Sequence, residues 1–533
     1  MTVAEVRGSE GTRRWWALGG LSLALLAVGL DGTVLSVALP TLAGTLHASA
    51  TDLQWFVSAY TLALAAALLP GGLLGDRFGR KKVMTIALTL FGLGSVACAY
   101  SPNPGVFIAA RVLLGLSAGA MVPLVLSGVA VMFSDEERPR AVAVWAAANF
   151  LALPIGPILG GWLLSSYWWG WVFLMNLPVV VVGLIAVGVL VPESRAPQRP
   201  GLDPLGIVAS VGGLTVLVYG FVAAGQYGWT SVTAVAAMAA GVLVLVGFTL
   251  WELRLGHRPG GQPLVDMRLF RSARFTSGTA LQALGVFGLF GLLFGAPQFF
   301  QAILGVDAMG SGVRLLPLIG ALAAGAVLSD RVAQRLTAKV TAALGFGLLA
   351  TGMALGATMT VSSDDVFIAC WTALTGLGFG LALATAASAA LVDLPKANAG
   401  IGSAVMQAVQ KAFAPLSAAV LGSVLNAGYH SGLDLAGLPA AAASAVRGSV
   451  FAGLAVAHNI SSPQLLDSVR TSFVHGIDTM LWVGTGIALA GVVLAVVFLP
   501  WHATAAGETD NSKRRGREAG REVQPAAVTG DNQ

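Results

Sequence analysis

The sequence predicts an all-α polytopic membrane protein of fourteen helical spans with both termini on the cytoplasmic side. Three observations carry that expectation. Charged residues make up only 10% of the 533 residues against 56% hydrophobic, and mean hydropathy is +0.80. Soluble domains carry about 25% charged residues, so this chain cannot cover a water-facing surface. Apolar runs long enough to cross a bilayer, about 20 residues each, recur along its whole length. The connections between those runs alternate in basic charge.

The runs fall at 15–39, 53–75, 83–100, 106–132, 141–165, 171–191, 205–224, 231–252, 275–300, 314–330, 340–360, 366–392, 399–427 and 476–500. Basic residues collect on one side of cytoplasmic membranes. Here every second connection holds them: Arg77, Arg80, Lys81 and Lys82 after the second run, and Arg254, Arg258, Arg268, Arg271 and Arg274 after the eighth. Inner segments and tails together hold 25 of the 30 Lys and Arg residues, whereas the outer loops hold only Arg447 and Arg470. A miscounted span would scramble that alternation. The segment 439–457 is apolar enough to imitate a further span, but Arg447 at its centre would cost roughly 2.5–3.5 kcal/mol on insertion scales. It is read as part of an extracellular loop, 428–475, with an amphipathic helix or hairpin of its own.

The expected organisation is a cytoplasmic N-terminus (1–14), a six-helix bundle (15–191), a linker with two extra spans (192–274), a second six-helix bundle (275–500) and a disordered basic tail (501–533). A short echo supports two halves: Asp76-Arg77 after the second run returns as Asp330-Arg331 after the tenth, and repeated halves around a central cavity are common in transporters. Arg13 and Arg14 precede an apolar stretch longer than a signal h-region of about 7–15 residues, so the first span is expected to stay in the mature chain. Cys98 and Cys370 lie in apolar runs and read as inert packing, with no metal-ligand spacing. The net charge of +5 sits in short loops and reads as topology rather than nucleic-acid binding.

Four features carry chemistry. Asp31 is the one carboxylate well inside an expected span. An ionisable group at that depth is costly and marks a proton or substrate path, and desolvation favours its reversible protonation; the alternative is a structural carboxylate tied to an arginine or to backbone amides. The connection Gly72-Leu73-Leu74-Gly75-Asp76-Arg77-Phe78-Gly79-Arg80 combines glycines that permit a tight turn with charges that can bond neighbouring helix ends. Arg111, inside the fourth run, is either buried against an acceptor or extended to an interface. The fifth run carries Pro154, Gly156, Pro157, Gly160 and Gly161, where proline removes a backbone donor and the glycines open a groove for a neighbour.

Together these four features resemble the signature motifs of the major facilitator superfamily, and in combination its fourteen-span drug:proton antiporter branch of quaternary-ammonium and dye exporters. Further likenesses run along the chain, among them Gln54-Trp55, Phe173-Leu174-Met175-Asn176-Leu177-Pro178, Arg314-Leu315-Leu316-Pro317 and Phe473-Val474-His475-Gly476. The resemblance implies the major facilitator fold, two six-helix bundles plus two linker helices, working by alternating access. It implies that Asp31 exchanges a proton for substrate with help from Arg111. The loop with Gly72, Asp76, Arg77, Gly79 and Arg80 would latch the inner gate, and the helix-five motif would govern the interface between halves. No cofactor and no metal are expected; the proton gradient is the energy source. Small-molecule substrates, protons and the lipid bilayer are the expected partners of a monomer, with no nucleic acid.

The chain departs from the family pattern at Leu114, Ala152, Gly170 and Gln410-Lys411-Ala412-Phe413. Lys411 is either a lysine reaching the cytosol or a cation in the cavity, where it would disfavour dications and admit anionic or zwitterionic substrates. Candidate substrate contacts, chosen as aromatic or amide groups on both bundles, are Trp55, Tyr60, Trp145, Asn149, Phe294, Gln298, Trp371 and Gln407; aromatic faces hold flat cations. No phosphate-binding loop and no clustered catalytic acids or His-Glu-x-x-His occur, which argues against an ATP-driven pump and a membrane enzyme. The remaining rivals are an exporter dedicated to one metabolite or antibiotic and a sensor that does not transport.

Overall fold

A computed structural model describes residues 3–133, 137–195, 203–258, 261, 263–265, 267–391 and 399–499. Among them the chain is helical with no strand, as expected where no water is available to satisfy an open backbone. In order the helices are α1 (Val3–Thr45), α2 (Ala50–Phe78), α3 (Arg80–Ala99), α4 (Pro104–Met132), α5 (Arg138–Ser166), α6 (Trp171–Leu174), α7 (Asn176–Leu190), α8 (Pro204–Tyr227) and α9 (Val232–His257). A 3-10 turn (Met267–Arg271) leads into α10 (Ala273–Ala302), α11 (Ala308–Arg314), α12 (Leu316–Leu336), α13 (Ala338–Gly356), α14 (Asp365–Leu391), α15 (Ala399–Gly432), α16 (Ala440–Gly448), α17 (Val450–Asn459) and α18 (Pro463–Phe498).

Twelve of the described helical segments are long and apolar enough to cross a membrane, or thirteen when α2, bent by 45° at Pro70, is counted as one span. The fifth expected span is helical as α5, but its described apolar stretch, Ile155–Ser166, is too short to enter that count. Local chemistry sets the boundaries. Ser49 and Asp52 form a reciprocal capping box at the start of α2, and prolines without a backbone donor open α4, α8, α12 and α18. Gly79, at φ +114°, turns the chain from α2 into α3 in a conformation that favours glycine.

Two packed cores result. One joins α1 to α7 and the other joins α10 to α18. The expected loop 428–475 is mostly helix: α15 continues to Gly432, α16 and α17 form a hairpin, and α18 begins at Pro463. The span expected at 476–500 was therefore placed too late, because the polar residues before it blur a helix that starts outside the apolar run. Arg447 is exposed on α16, and the Tyr429 hydroxyl donates to the Val446 carbonyl at 2.9 Å, fixing the hairpin to α15. Cys98 is buried and Cys370 faces outward from α14, so packing describes the first cysteine and not the second. The expected tail 501–533 lies outside the described residues.

Candidate functional site: a buried ion pair beside the helix-five glycines

Asp31 and Arg111 meet in the middle of the first core. Arg111 Nη1 lies 2.5 Å from Asp31 Oδ2, and the two residues are 2% and 1% exposed. The guanidinium has two further partners: its Nε donates to the Phe56 carbonyl at 3.1 Å, and its Cζ lies 4.2 Å from the centre of the Tyr60 ring. The Tyr60 hydroxyl in turn donates to the Val28 carbonyl at 3.1 Å. This places Arg111 in the core, not at an interface. The Asp31 carboxylate is left with one oxygen engaged, because Oδ1 is buried without a hydrogen-bond partner. Sequence reading left open a titrating carboxylate or one tied to an arginine, and the geometry has the arginine in place with a lone pair of Asp31 still free. Adding a proton at Oδ1 would remove the charge that holds Nη1, while Phe56 and Tyr60 would still hold the guanidinium.

The helix-five motif abuts this pair. Thr33 and Val34, two and three residues beyond Asp31, fill the grooves over Gly156 and Gly160, so that a methyl at either glycine would overlap them. The Thr33 hydroxyl donates to the Ala152 carbonyl at 3.0 Å. The other face of α5 meets the second core: a methyl on Gly161 would lie 2.7 Å from the Ala308 carbonyl, and Gly312 sits under the Pro157 carbonyl. Glycines in one helix thus seat α1 on one side and α11 on the other, the close approach that small residues permit in lipid. The side chain of Pro154 lies outside the described residues.

The hydrogen bonds between the cores, among the described residues, run from the side remote from the 72–82 loop to mid-depth. Ser165 Oγ donates to Asp307 Oδ2 at 2.9 Å, Gln301 Nε2 to the Val37 carbonyl at 3.0 Å, and Ser58 Oγ to the Pro415 carbonyl at 3.3 Å. The loop itself is held inside the first bundle. Asp76 Oδ1 pairs with Arg80 at 2.8 Å, Arg80 N donates to the Ser194 carbonyl at 3.0 Å, and Lys81 N to Glu193 Oε1 at 3.3 Å. Gly72 and Gly75 seat α2 against Pro123 and Leu124 of α4, and a Cβ on Gly79 would strike the Glu193 carboxylate. Arg77 packs over the neighbouring Phe78 ring. The echoing Asp330 and Arg331 are exposed at the end of α12.

The substrate candidates do not converge. Trp55 packs with Val218 and Val222 of α8 and Ala419 of α15, filling a helix interface. Tyr60 belongs to the ion-pair site. Phe294 is buried beside Gly422, and Gln298 donates to the Phe294 carbonyl one turn earlier at 2.8 Å. Trp371 is 1% exposed, packed on Gly356 inside the second core. Gln407 and Lys411 are half-buried on α15; Lys411 stands twelve residues into that helix, about 18 Å along it at 1.5 Å per residue, beyond a lysine's reach to that end. The side chains of Trp145 and Asn149 lie outside the described residues.

Three carboxyl groups escaped sequence reading. Asp478 sits well inside α18, with Oδ1 buried and unpartnered, which corrects the expectation that Asp31 alone is a carboxylate deep in a span. It was hidden by the late start assigned to the last span. Asp203 and Glu252, at the ends of α8 and α9, are 6% and 1% exposed. The available signal was an acid one turn before the end of α9, in an otherwise apolar stretch.

Comparison with known proteins agrees with the fold. The family model described as Major Facilitator Superfamily matches residues 21–418. The chain is similar to the multidrug efflux pump LfrA of Mycolicibacterium smegmatis, 32% identical over 91% of this chain and 97% of that protein. It is similar to the tetracenomycin C resistance and export protein of Streptomyces glaucescens, 32% identical over 78% of this chain and 76% of that one. Among solved structures, a bacterial homologue of the human lysosomal transporter Spinster in an inward-facing, unoccupied conformation superposes with a TM-score of 0.67 at 16% identity, covering 92% and 99% of the two chains.

Proposed function

The chain belongs to the major facilitator superfamily, a family of transporters rather than enzymes, and on that premise we propose that it is a proton-coupled exporter of lipophilic or quaternary-ammonium cations and dyes. It works as a monomer by alternating access in a bacterial cytoplasmic membrane. The observation that carries the reading is the buried Asp31–Arg111 pair with Asp31 Oδ1 unengaged, one helix contact away from glycines that seat the opposite bundle. Similarity to a named multidrug efflux pump supports drug export.

In this reading the described state, joined on the side remote from the basic loops, accepts drug from the cytoplasm while Asp31 is ionised. After the bundles rock, a proton from outside adds to Asp31 Oδ1. Arg111 loses its counter-ion, and α1 shifts at Thr33 and Val34 against Gly156 and Gly160. That motion reaches α11 through Gly161, and the asymmetric loop contacts of Asp76 and Arg80 re-form on return. Breaking a buried ion pair by neutralising one partner is worth about 3–5 kcal/mol, enough to shift a two-state equilibrium by more than a hundredfold.

A second reading has one specific observation in its favour. Lys411 lies at mid-depth of α15 with no acidic partner among the described residues, and a cation there disfavours dications. The chain would then be an exporter dedicated to an anionic or zwitterionic metabolite, a role closer to the named function of the tetracenomycin relative. The test is uptake into inverted proteoliposomes under an imposed pH gradient, with ethidium, a tetraphenylphosphonium and a panel of polyketide acids. Gradient-driven uptake of the cations supports the first reading. Uptake of acids alone, lost in Lys411→Ala, supports the second, and no flux of either would refute both.

A further inference from the structure

Among the described helices long enough to cross a membrane, the linker helix α9 is the most exposed, and only Ala234, Gly241 and Glu252 are buried along it. That a glutamate should be one of the three is unexpected on an apolar helix, where a buried charge is costly unless paired. Its partner is another acid. Asp203, which caps the start of α8, points its carboxyl group at the same space, and the two side chains come within hydrogen-bonding reach of each other. They meet over Gly206, where the absence of a Cβ leaves them room: a methyl there would collide with both Asp203 Oδ2 and Glu252 Oε1.

Three of the four carboxyl oxygens have donors. Asp203 Oδ1 accepts from Gly206 N at 3.0 Å and Oδ2 from Trp251 Nε1 at 2.8 Å. Glu252 Oε2 accepts from Val265 N at 3.1 Å. Glu252 Oε1 is buried and has none. Among the described residues neither acid has an arginine or lysine within ion-pair distance. The other charged or titratable groups on the packed elements point elsewhere or are already engaged. At the end of α9, Arg258 lies over the Trp251 ring at 5.9 Å, His257 Nδ1 bonds the Leu253 carbonyl, and Arg254 is exposed. On the 3-10 turn, Arg268 donates to the Gly256 carbonyl at 2.9 Å, and Arg271 is exposed. Against α8, α15 brings Lys411 and His430, and α2, which meets α8 at Trp55, brings Asp52.

We propose that Asp203 and Glu252 form a second proton-binding site, separate from Asp31, in which one proton sits on Glu252 Oε1 and is donated to Asp203 Oδ2. Two carboxylates in contact and out of water cannot both ionise, so the pair holds a single proton as a unit. The site joins the start of α8, the end of α9 and, through Val265 N, the segment that leads into α10. Loss of the proton puts two like charges in contact and drives those three elements apart. The linker thereby reads the pH on the side where the basic loops lie.

The test is infrared spectroscopy of the full chain in liposomes, carried out on Asp31→Asn so that the ion-pair site is silent, with hydrogen–deuterium exchange to mark protonated carboxyl groups. The expected difference spectrum, Asp31→Asn minus Asp31→Asn/Glu252→Gln, has a protonated-carboxyl band that disappears on raising pH, any Asp478 band being common to both and cancelling. In Asp31→Asn/Asp203→Asn that band should titrate about one pH unit or more lower, because the like charge that retains the proton is gone. A Glu252→Gln spectrum identical to its parent would overturn the proposal. Should that variant not insert, the Asp203→Asn titration decides alone, and an unchanged midpoint overturns it. The measurement uses no substrate, so its failure is independent of the transport reading.

Discussion

Around α1, α2 and α4 the protein puts a buried ion pair at the centre of its packing, whereas the interior of α10 to α18 is filled with aromatic and aliphatic side chains. Trp371, Phe299, Phe300, Phe346 and Phe379 are all under 2% exposed there. Some of its buried hydroxyls turn back onto their own helices, as when Thr372 donates to the Ile368 carbonyl, Thr375 to Trp371 and Thr485 to Leu481, while those of Thr279, Ser311 and Thr385 have no hydrogen-bond partner. The first half therefore has an ion pair at its centre, whereas in the second Asp478 and Lys411 lie within helices without a salt-bridge partner among the described residues. The difference teaches where the energy enters. A proton on Asp31 breaks a pair in the first bundle, and the contacts between bundles carry that change to the second.

The largest effect expected from that contrast is at Arg111. Arg111→Gln leaves Asp31 buried without its counter-ion and should lower stability by about 3–5 kcal/mol, read as a fall in unfolding temperature. Asp31→Asn/Arg111→Gln should recover most of the loss, since removing both charges leaves no uncompensated ion. A double variant no more stable than the single would break the comparison. The next effect is at the contact between halves. Gly161→Ala presses a methyl on the Ala308 carbonyl and should cost about 1–3 kcal/mol, as overpacking does. It should also increase labelling of a cysteine placed at Ser165, because the remote side opens.

A smaller effect is expected in the second core. Trp371 Nε1 is buried without an acceptor, so Trp371→Phe discards an unsatisfied donor and should change stability by less than about 1.5 kcal/mol. A loss as large as that at Arg111 would show that the second bundle is not the passive half. The smallest concerns pH at the remote contact. The Gly310 backbone N–H and then the Ser165 hydroxyl hold the Asp307 carboxyl below its ordinary value. A depressed carboxylate contributes stability that is present above its unfolded pKa, about 3.9 for aspartate, and lost only as pH falls through the lower folded value. The destabilisation caused by Asp307→Asn should thus be the same at about pH 7 and pH 5.5; a cost that vanishes at the lower pH would contradict the sign.

Much of the ion-pair site was legible in the sequence because charge is rare in lipid. Asp31 and Arg111 each interrupt an apolar run, and no water is available to explain them. The helix-five glycines were legible for a related reason, since glycine spacing implies close approach before the partner is known. Substrate contacts were not legible in that way. Aromatic side chains pack in any membrane helix, and Trp55 and Trp371 do so in helix interfaces. Asp203 and Glu252 were hidden by ordinary positions: one reads as a helix cap and the other as a helix end, and only the packing of α8 on α9 makes them a pair. The 428–475 segment was expected to carry a helix or hairpin of its own, and α16 and α17 supply one, but its two ends are continuous with α15 and α18, which polar residues such as His430, Asp467 and Arg470 conceal in a reading based on apolar runs.

The central claim is that Asp31 binds the coupling proton, and it is tested most directly by ethidium flux in proteoliposomes under an imposed pH gradient, with Asp31→Asn beside the wild type. The account predicts gradient-driven accumulation in the wild type, and in the variant the loss of that acceleration while ethidium exchange without a gradient persists. Equal gradient-driven flux in both proteins would contradict it and remove Asp31 from the coupling step.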